Sequence, residues 1–113
     1  MKYEDIKPIS REEASKYLET GSVEEKSRML LQLAYHHDDW RWVQSICLEF
    51  LEADEVWLKR NAITCFGHLA RIHGEIDEGL VRRKLEQLKS DPELEGFIED
   101  TLGDFEVFLQ PSE

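Results

Sequence analysis

Residues 54–74 read DEVWLKRNAITCFGHLARIHG, and their pattern indicates the fold class. The apolar residues of this stretch recur at separations of three and four, the spacing that places side chains on one face of an α-helix. Asp54 is of a type that caps helix N-termini, and Gly74 is of the type that ends helices. The stretch therefore predicts one long helix with a single buried stripe, made by Leu58, Ala62, Cys65, Phe66 and Leu69.

Five further segments carry a start signal before an apolar helical pattern. Ser10 with Glu13, and Ser22 with Glu25, form capping boxes, in which each hydroxyl and carboxylate accept from the other residue's backbone N–H. The remaining signals predict that Asp38 or Asp39 caps the third helix, that Asp77 opens the fifth, and that Asp91 followed by Pro92 opens the sixth. No segment shows sustained strand alternation, so the predicted fold class is all-α, with six helices.

An internal repeat predicts how these helices are arranged. Connections of two to four residues make neighbouring helices antiparallel, so six helices give three hairpins. Phe66-Gly67 in the fourth helix corresponds to Leu102-Gly103 in the sixth, thirty-six residues later. A two-helix unit of this period predicts a short α-solenoid, expected to be right-handed. The predicted single domain covers residues 1–113, with hairpins at about 10–36, 39–73 and 77–109.

The segment from Asp54 to Ile63, followed by Phe66 to Ala70, resembles the second helix of a HEAT repeat. That family has an acid at the turn, a hydrophobic residue, a basic pair, an alanine and a closing Leu-Gly-x-Leu-Ala, and here Phe66 replaces the usual leucine. The resemblance implies a HEAT-like helical protein. Gly67 costs about 1 kcal/mol relative to alanine in a helix interior, so we expect it to allow a close helix crossing.

Composition and charge exclude several classes of protein. The 113 residues carry 14 basic and 25 acidic side chains, a formal net charge of −11, which argues against nucleic acid and anionic membranes as partners. The apolar runs are too short for a transmembrane helix, and Met1–Asp5 lack the pattern of a secretory signal. Both cysteines, Cys47 and Cys65, lie in apolar helical stripes. We therefore expect a reduced, cytoplasmic protein.

The acidity is concentrated in the last fifth of the chain. Residues 90–113 hold eight acids and no Lys, Arg or His, so they carry −8 of the net −11, and residues 1–89 carry only −3. One interpretation is a solvated face of a terminal helix. The alternative is a surface that attracts a basic partner.

Catalytic and metal-binding chemistry finds little support. His36 and His37 are adjacent, so their side chains diverge by about 100° and cannot easily share an ion. His68 and His73 are five residues apart, which is not the spacing that places two side chains on one face of a helix. Cysteines in a core stripe are inert thiols. No phosphate loop or nucleophile motif is present. We predict no catalytic, cofactor-binding or metal-binding residue, and we do not expect an enzyme.

Three tryptophans, Trp40, Trp42 and Trp57, lie near the turn-side ends of the third and fourth helices. Trp40 and Trp42 are two residues apart, so both cannot face the core. Trp40 shares the stripe of Val43, which leaves Trp42 to the side with Arg41. Trp42 then either packs under the preceding hairpin or forms a partner-binding edge, since Trp and Arg are enriched in interface hot spots.

The stretch from Asp38 to Gln44, together with Gly67 to Gly74, is similar to small bacterial HEAT-like proteins, some of which resemble immunity proteins of polymorphic-toxin and contact-dependent inhibition (CDI) loci. The resemblance implies a non-enzymatic protein that neutralises a cognate toxin by covering it. Many such toxins are basic nucleases, so the implied partner is a basic toxin domain. The alternative is an adaptor or structural subunit of a larger complex. Independently of the resemblance, the charge and aromatic patterns predict seven partner-binding residues: Asp39, Arg41, Trp42, Glu95, Glu99, Asp100 and Asp104.

Overall fold

The computed structural model describes residues 6–109, so Met1–Asp5 and the acid at Glu113 lie outside the described residues. Within that range the chain forms six α-helices and no strand, which confirms the all-α class. The helices are α1 Arg11–Thr20, α2 Val23–His36, α3 Trp40–Phe50, α4 Val56–His73, α5 Glu78–Leu88 and α6 Glu95–Phe108.

Most of the predicted helix starts are confirmed. Both capping boxes are present: Ser10 Oγ accepts from the Glu13 N–H and Ser22 Oγ from the Glu25 N–H, each at 3.1 Å, with the reciprocal bonds also made. Of the two alternatives for α3, Asp39 is the cap. Asp77 caps α5, and Gly74 ends α4 with a positive φ of 68°, the left-handed conformation that favours glycine.

Two predicted starts are wrong. α4 begins at Val56, and neither Asp54 nor Glu55 caps it with a side-chain hydrogen bond. α6 begins at Glu95 rather than at Pro92. The physical reason is a separate turn, since the Asp91 side chain accepts from the Glu93 N–H at 2.9 Å and its carbonyl accepts from the N–H of Glu95.

α4 is the central helix and packs against α2, α3 and α6. Near its start, Asn61 Nδ2 donates to Ser27 Oγ of α2 at 2.7 Å, and near its end Arg71 lies against the ring of Tyr35. These two contacts show that α2 and α4 run in the same direction.

α6 lies parallel to α4 on the other side. Arg60 Nε donates to the carbonyl of Glu93 at 3.0 Å, and the Thr101 hydroxyl donates to the carbonyl of Ile63, also at 3.0 Å. α2, α4 and α6 therefore form one layer with α4 in the middle.

The starts of α1, α3 and α5 lie at one end of the molecule. Arg11 forms an ion pair with Asp39, and the Asp77 N–H donates to Gln44 Oε1 at 2.7 Å. Helices joined in antiparallel pairs and stacked side by side make such contacts. The HEAT-like right-handed solenoid stays a prediction, as does the division of residues 1–113 into three hairpins.

The core is continuous and made of large apolar side chains, the largest of which are Phe66, Phe105, Met29 and Leu30. Cys47 and Cys65 are both buried free thiols within it, as the apolar stripes predicted. A hydrogen bond with Cys65, together with burial, raises the pKa of Cys47 well above its usual range. Among residues 6–109, no helix is both long and apolar enough to cross a membrane.

Candidate partner-binding surfaces

The first predicted group begins at the cap of α3. Asp39 Oδ1 accepts from the Trp42 N–H at 3.1 Å, and the other carboxylate oxygen pairs with Arg11 of α1. The hydrogen bond from Trp42 and then the charge of Arg11 hold the pKa of Asp39 below its usual value.

Trp42 lies against side chains of its own protein. The Arg11 guanidinium lies 4.4 Å from the centre of the indole ring, and the ring of His37 lies at 4.9 Å. Trp42 is half-buried and packs on the hydrophobic core. Of the two interpretations that the sequence left open, packing against the preceding hairpin therefore describes Trp42 in this structure.

Arg41 has different neighbours. Its guanidinium lies 4.6 Å from the ring centre of Trp40. Both side chains line a cleft of about 440 Å³, together with residues 74–78 and Leu109. Arg41 and Leu109 thus place the end of α6 next to the start of α3.

The four predicted acids of α6 divide between two faces of the helix. Asp100 and Asp104 follow Phe97 by three and seven residues, so they share its side, which faces α4 because Arg60 lies over the Phe97 ring at 5.0 Å. Glu95 and Glu99 instead share a side with Glu106.

That second side lies towards α5. Arg82 of α5 donates to Glu106 at 2.8 Å and to Glu78 at 2.6 Å, so one guanidinium joins the two helices. Asp100 and Asp104 therefore neighbour α4, whereas Glu95 and Glu99 lie on the side of α6 that turns towards α5.

The seven predicted residues do not form one site. Glu95 begins α6 and Leu109 follows its last residue, which separates them by about 20 Å along the axis at 1.5 Å per residue. Because the cleft that contains Arg41 also contains Leu109, the acids at the start of α6 lie far from the Trp42 edge.

Two exposed aromatic side chains were not among the predicted partner-binding residues. Trp57 is 53 % exposed, the most of any aromatic side chain among residues 6–109, and Phe97 is 38 % exposed. The neighbouring Ile98 is fully buried. The signal for Trp57 was its position opposite the apolar stripe of Leu58 and Ala62.

A polar cluster lies further along the same face of α4. Arg71 lies 2.9 Å from His68 Nδ1, and the Tyr35 ring meets the His68 ring edge-on at 5.2 Å. Burial and then the charge of Arg71 lower the pKa of His68, while Asp104 acts in the opposite direction. Within the described residues, no group of three or more His, Cys, Asp or Glu side chains is placed to hold a metal ion.

Comparison with known proteins finds a relative among solved structures. No protein-family model matches the chain, and no curated protein matches it. A chain of a crystal structure described as a CDI complex from Cupriavidus taiwanensis LMG 19424 is similar, with 29 % sequence identity and a TM-score of 0.84. The match covers 97 % of this chain and 99 % of that chain, so the two share their fold over nearly their whole lengths.

Proposed function

We propose that this protein is an immunity protein that neutralises a bacterial toxin by binding it directly, without catalysis of its own. The observation that carries the proposal is the similarity to a chain of the CDI complex over 97 % of the sequence. A match at both the fold and the sequence level supports a shared role more strongly than a shared fold does.

The charge supports a basic partner. The net charge is −11, and residues 90–113 contribute −8 of it. A basic toxin domain, for example a nuclease, has a positively charged surface. An acidic immunity protein attracts this surface and covers it. The free thiols Cys47 and Cys65 fit a reducing compartment, so the proposed place of action is the cytoplasm.

The proposed contact residues lie on separate surfaces. One is the edge formed by Asp39, Arg41 and Trp42. The α6 acids lie on two more, with Asp100 and Asp104 on the side towards α4 and Glu95 and Glu99 on the side towards α5. Since Trp42 and Asp39 are already engaged by Arg11, the α6 acids are the more available of the two groups.

Co-expression tests the proposal. In loci of the kind that the resemblance names, an immunity gene lies directly downstream of its toxin gene, so the candidate toxin is the product of the gene directly upstream. That product is expressed in cells with and without this protein, and the two proteins are then purified together. We expect the upstream product to arrest growth when expressed alone, to be bound by this protein, and to be harmless in its presence. A basic nuclease from an unrelated locus is the control, since a specific inhibitor leaves it active.

Other outcomes of the co-expression experiment would overturn the immunity proposal or replace it with the adaptor role. An upstream product that is toxic but unbound, or bound but still toxic, overturns the proposal. One that is bound without being toxic replaces immunity with the adaptor role.

A further inference from the structure

α4 presents an open face between α2 and α6. Trp57, Arg60, Thr64 and His68 follow one another at spacings of three and four, so they form a stripe along the helix. Trp57 and Thr64 are exposed, whereas the opposite side of α4 is buried in the core. Residues 6–109 therefore leave Trp57 and Thr64 uncovered, whereas Arg60 is half-buried against α6 and His68 against α2.

The exposed surface extends from α4 to α6, where it includes Phe97. The Arg60 guanidinium lies 5.0 Å from the Phe97 ring centre, and its Nε donates to the carbonyl of Glu93 at 3.0 Å. These two contacts hold Arg60 against α6, with Trp57 one turn before it on α4. Trp and Arg, here the exposed Trp57 and the half-buried Arg60, are residue types enriched in interface hot spots.

Two carboxylates lie on the side of α6 that carries Phe97, Asp100 one turn after it and Asp104 two turns after it, where the Asp104 carboxylate lies over Gly67. α6 holds no basic residue to neutralise them. The Arg60 guanidinium lies over the Phe97 ring, and the basic side chains near Asp104 are His68 and, in contact with it, Arg71. Carboxylates next to exposed aromatic rings suit a Lys or Arg side chain, whose charge pairs with the acid while its stem covers the ring.

We infer that the surface formed by Trp57, Arg60, Thr64, Phe97, Asp100 and Asp104, the α4–α6 surface, docks the basic face of the toxin domain. The inference rests on the proposed function and names the surface that binds the toxin. It assigns the aromatic anchor to Trp57, because Trp42 is half-buried beneath Arg11 and Trp57 is 53 % exposed.

Binding of full-length variants to the upstream gene product tests the assignment. Trp57→Ala and Phe97→Ala are each expected to raise the dissociation constant by about tenfold or more, as at interface hot spots. Tyr17→Ala is the matched control, since Tyr17 is a 36 % exposed aromatic on α1, and its affinity is expected to change by less than about twofold. Thermal unfolding checks that each variant folds, and substitutions of exposed side chains such as Trp57 change the free energy of unfolding little.

The two proposals fail in different ways. If the wild-type protein binds while Trp57→Ala and Phe97→Ala bind within about twofold of it, the inference is overturned and the proposed function stands. If the wild-type protein does not bind the upstream product, both are overturned. A loss that Tyr17→Ala shares equally assigns the effect to general destabilisation and likewise overturns the inference.

Discussion

The carboxylate oxygen Oδ2 of Asp104 lies 2.6 Å from the position that a Cβ on Gly67 would occupy. Gly67 is buried in the middle of α4, and Asp104 is on α6. The sequence predicted a close helix crossing at this glycine, but the atoms nearest to it belong to a side chain of the neighbouring parallel helix and not to its backbone. A methyl group there would displace the carboxylate, which is the mobile end of its side chain.

The free energy of unfolding should therefore depend jointly on Gly67 and Asp104. Gly67→Ala in an Asp104→Ala background is expected to stabilise the protein by about 1 kcal/mol, the helix-propensity difference. In the wild-type background the gain should be smaller, because Asp104 must first rotate away. Urea denaturation of the four proteins measures this coupling. An equal gain in both backgrounds would show that Asp104 does not restrict position 67.

The buried hydrogen bond from Thr101 to Ile63 joins α6 to α4. Thr101 is 3 % exposed and its hydroxyl donates to the Ile63 carbonyl at 3.0 Å. Thr101→Val keeps the shape and removes the bond, so the free energy of unfolding should fall by about 1 kcal/mol. Thr64→Val on the exposed face of α4 is the control, expected within about 0.5 kcal/mol of wild type. Equal effects of the two substitutions would mean that this bond contributes nothing.

His68 should make stability depend on pH. Burial and Arg71 lower its pKa from the usual 6.5, so the folded state favours the neutral ring. That contribution is complete above pH 6.5 and is lost as the pH falls through the lowered folded-state pKa, because the unfolded chain binds the proton first. The decline in stability below pH 6.5 should be shallower in His68→Gln than in wild type, as measured by denaturation at several pH values.

The pKa of His68 should also depend on the charge of Asp104. Because Asp104 raises the His68 pKa against the two larger effects, Asp104→Asn should lower that pKa further. An NMR titration of the His68 ring measures the shift directly. A pKa that rises in Asp104→Asn would contradict the arrangement of these two side chains.

The two acidic faces of α6 can be separated by variants of equal charge. Asp100→Asn with Asp104→Asn, and Glu95→Gln with Glu99→Gln, each change the formal net charge from −11 to −9. Both pairs should slow association with a basic partner at low salt. Only the first pair should also speed dissociation, because those acids lie on the α4–α6 surface. Surface plasmon resonance separates the two rates, and identical effects of both pairs would assign all four acids to long-range attraction.

The sequence predicted the features that depend on neighbours along the chain. The capping boxes at Ser10 and Ser22 and the glycine end at Gly74 were correct, since each is completed within one helical turn. The start of α6 was missed for a local reason too, because Asp91 closes a turn of its own that a cap pattern does not distinguish from a helix.

Exposure of the tryptophans could not be predicted in the same way. Trp42 is covered by Arg11, which lies 31 residues earlier and reaches it only through the packing of α1 on the rest of the fold. Trp57 lies on the side of α4 opposite the buried stripe, and within residues 6–109 it is 53 % exposed. Helical periodicity gives the direction of a side chain, but the helix that lies beside it depends on tertiary packing.

The decisive measurement for the proposed immunity role is the dissociation constant between this protein and the product of the upstream gene, obtained by titration calorimetry at physiological salt. We expect a 1:1 complex with a dissociation constant below about 1 μM, or about −8 kcal/mol, and loss of toxin activity at the same stoichiometry. Absence of binding at about a hundredfold higher concentration, with the toxin fully active beside this protein, would contradict it.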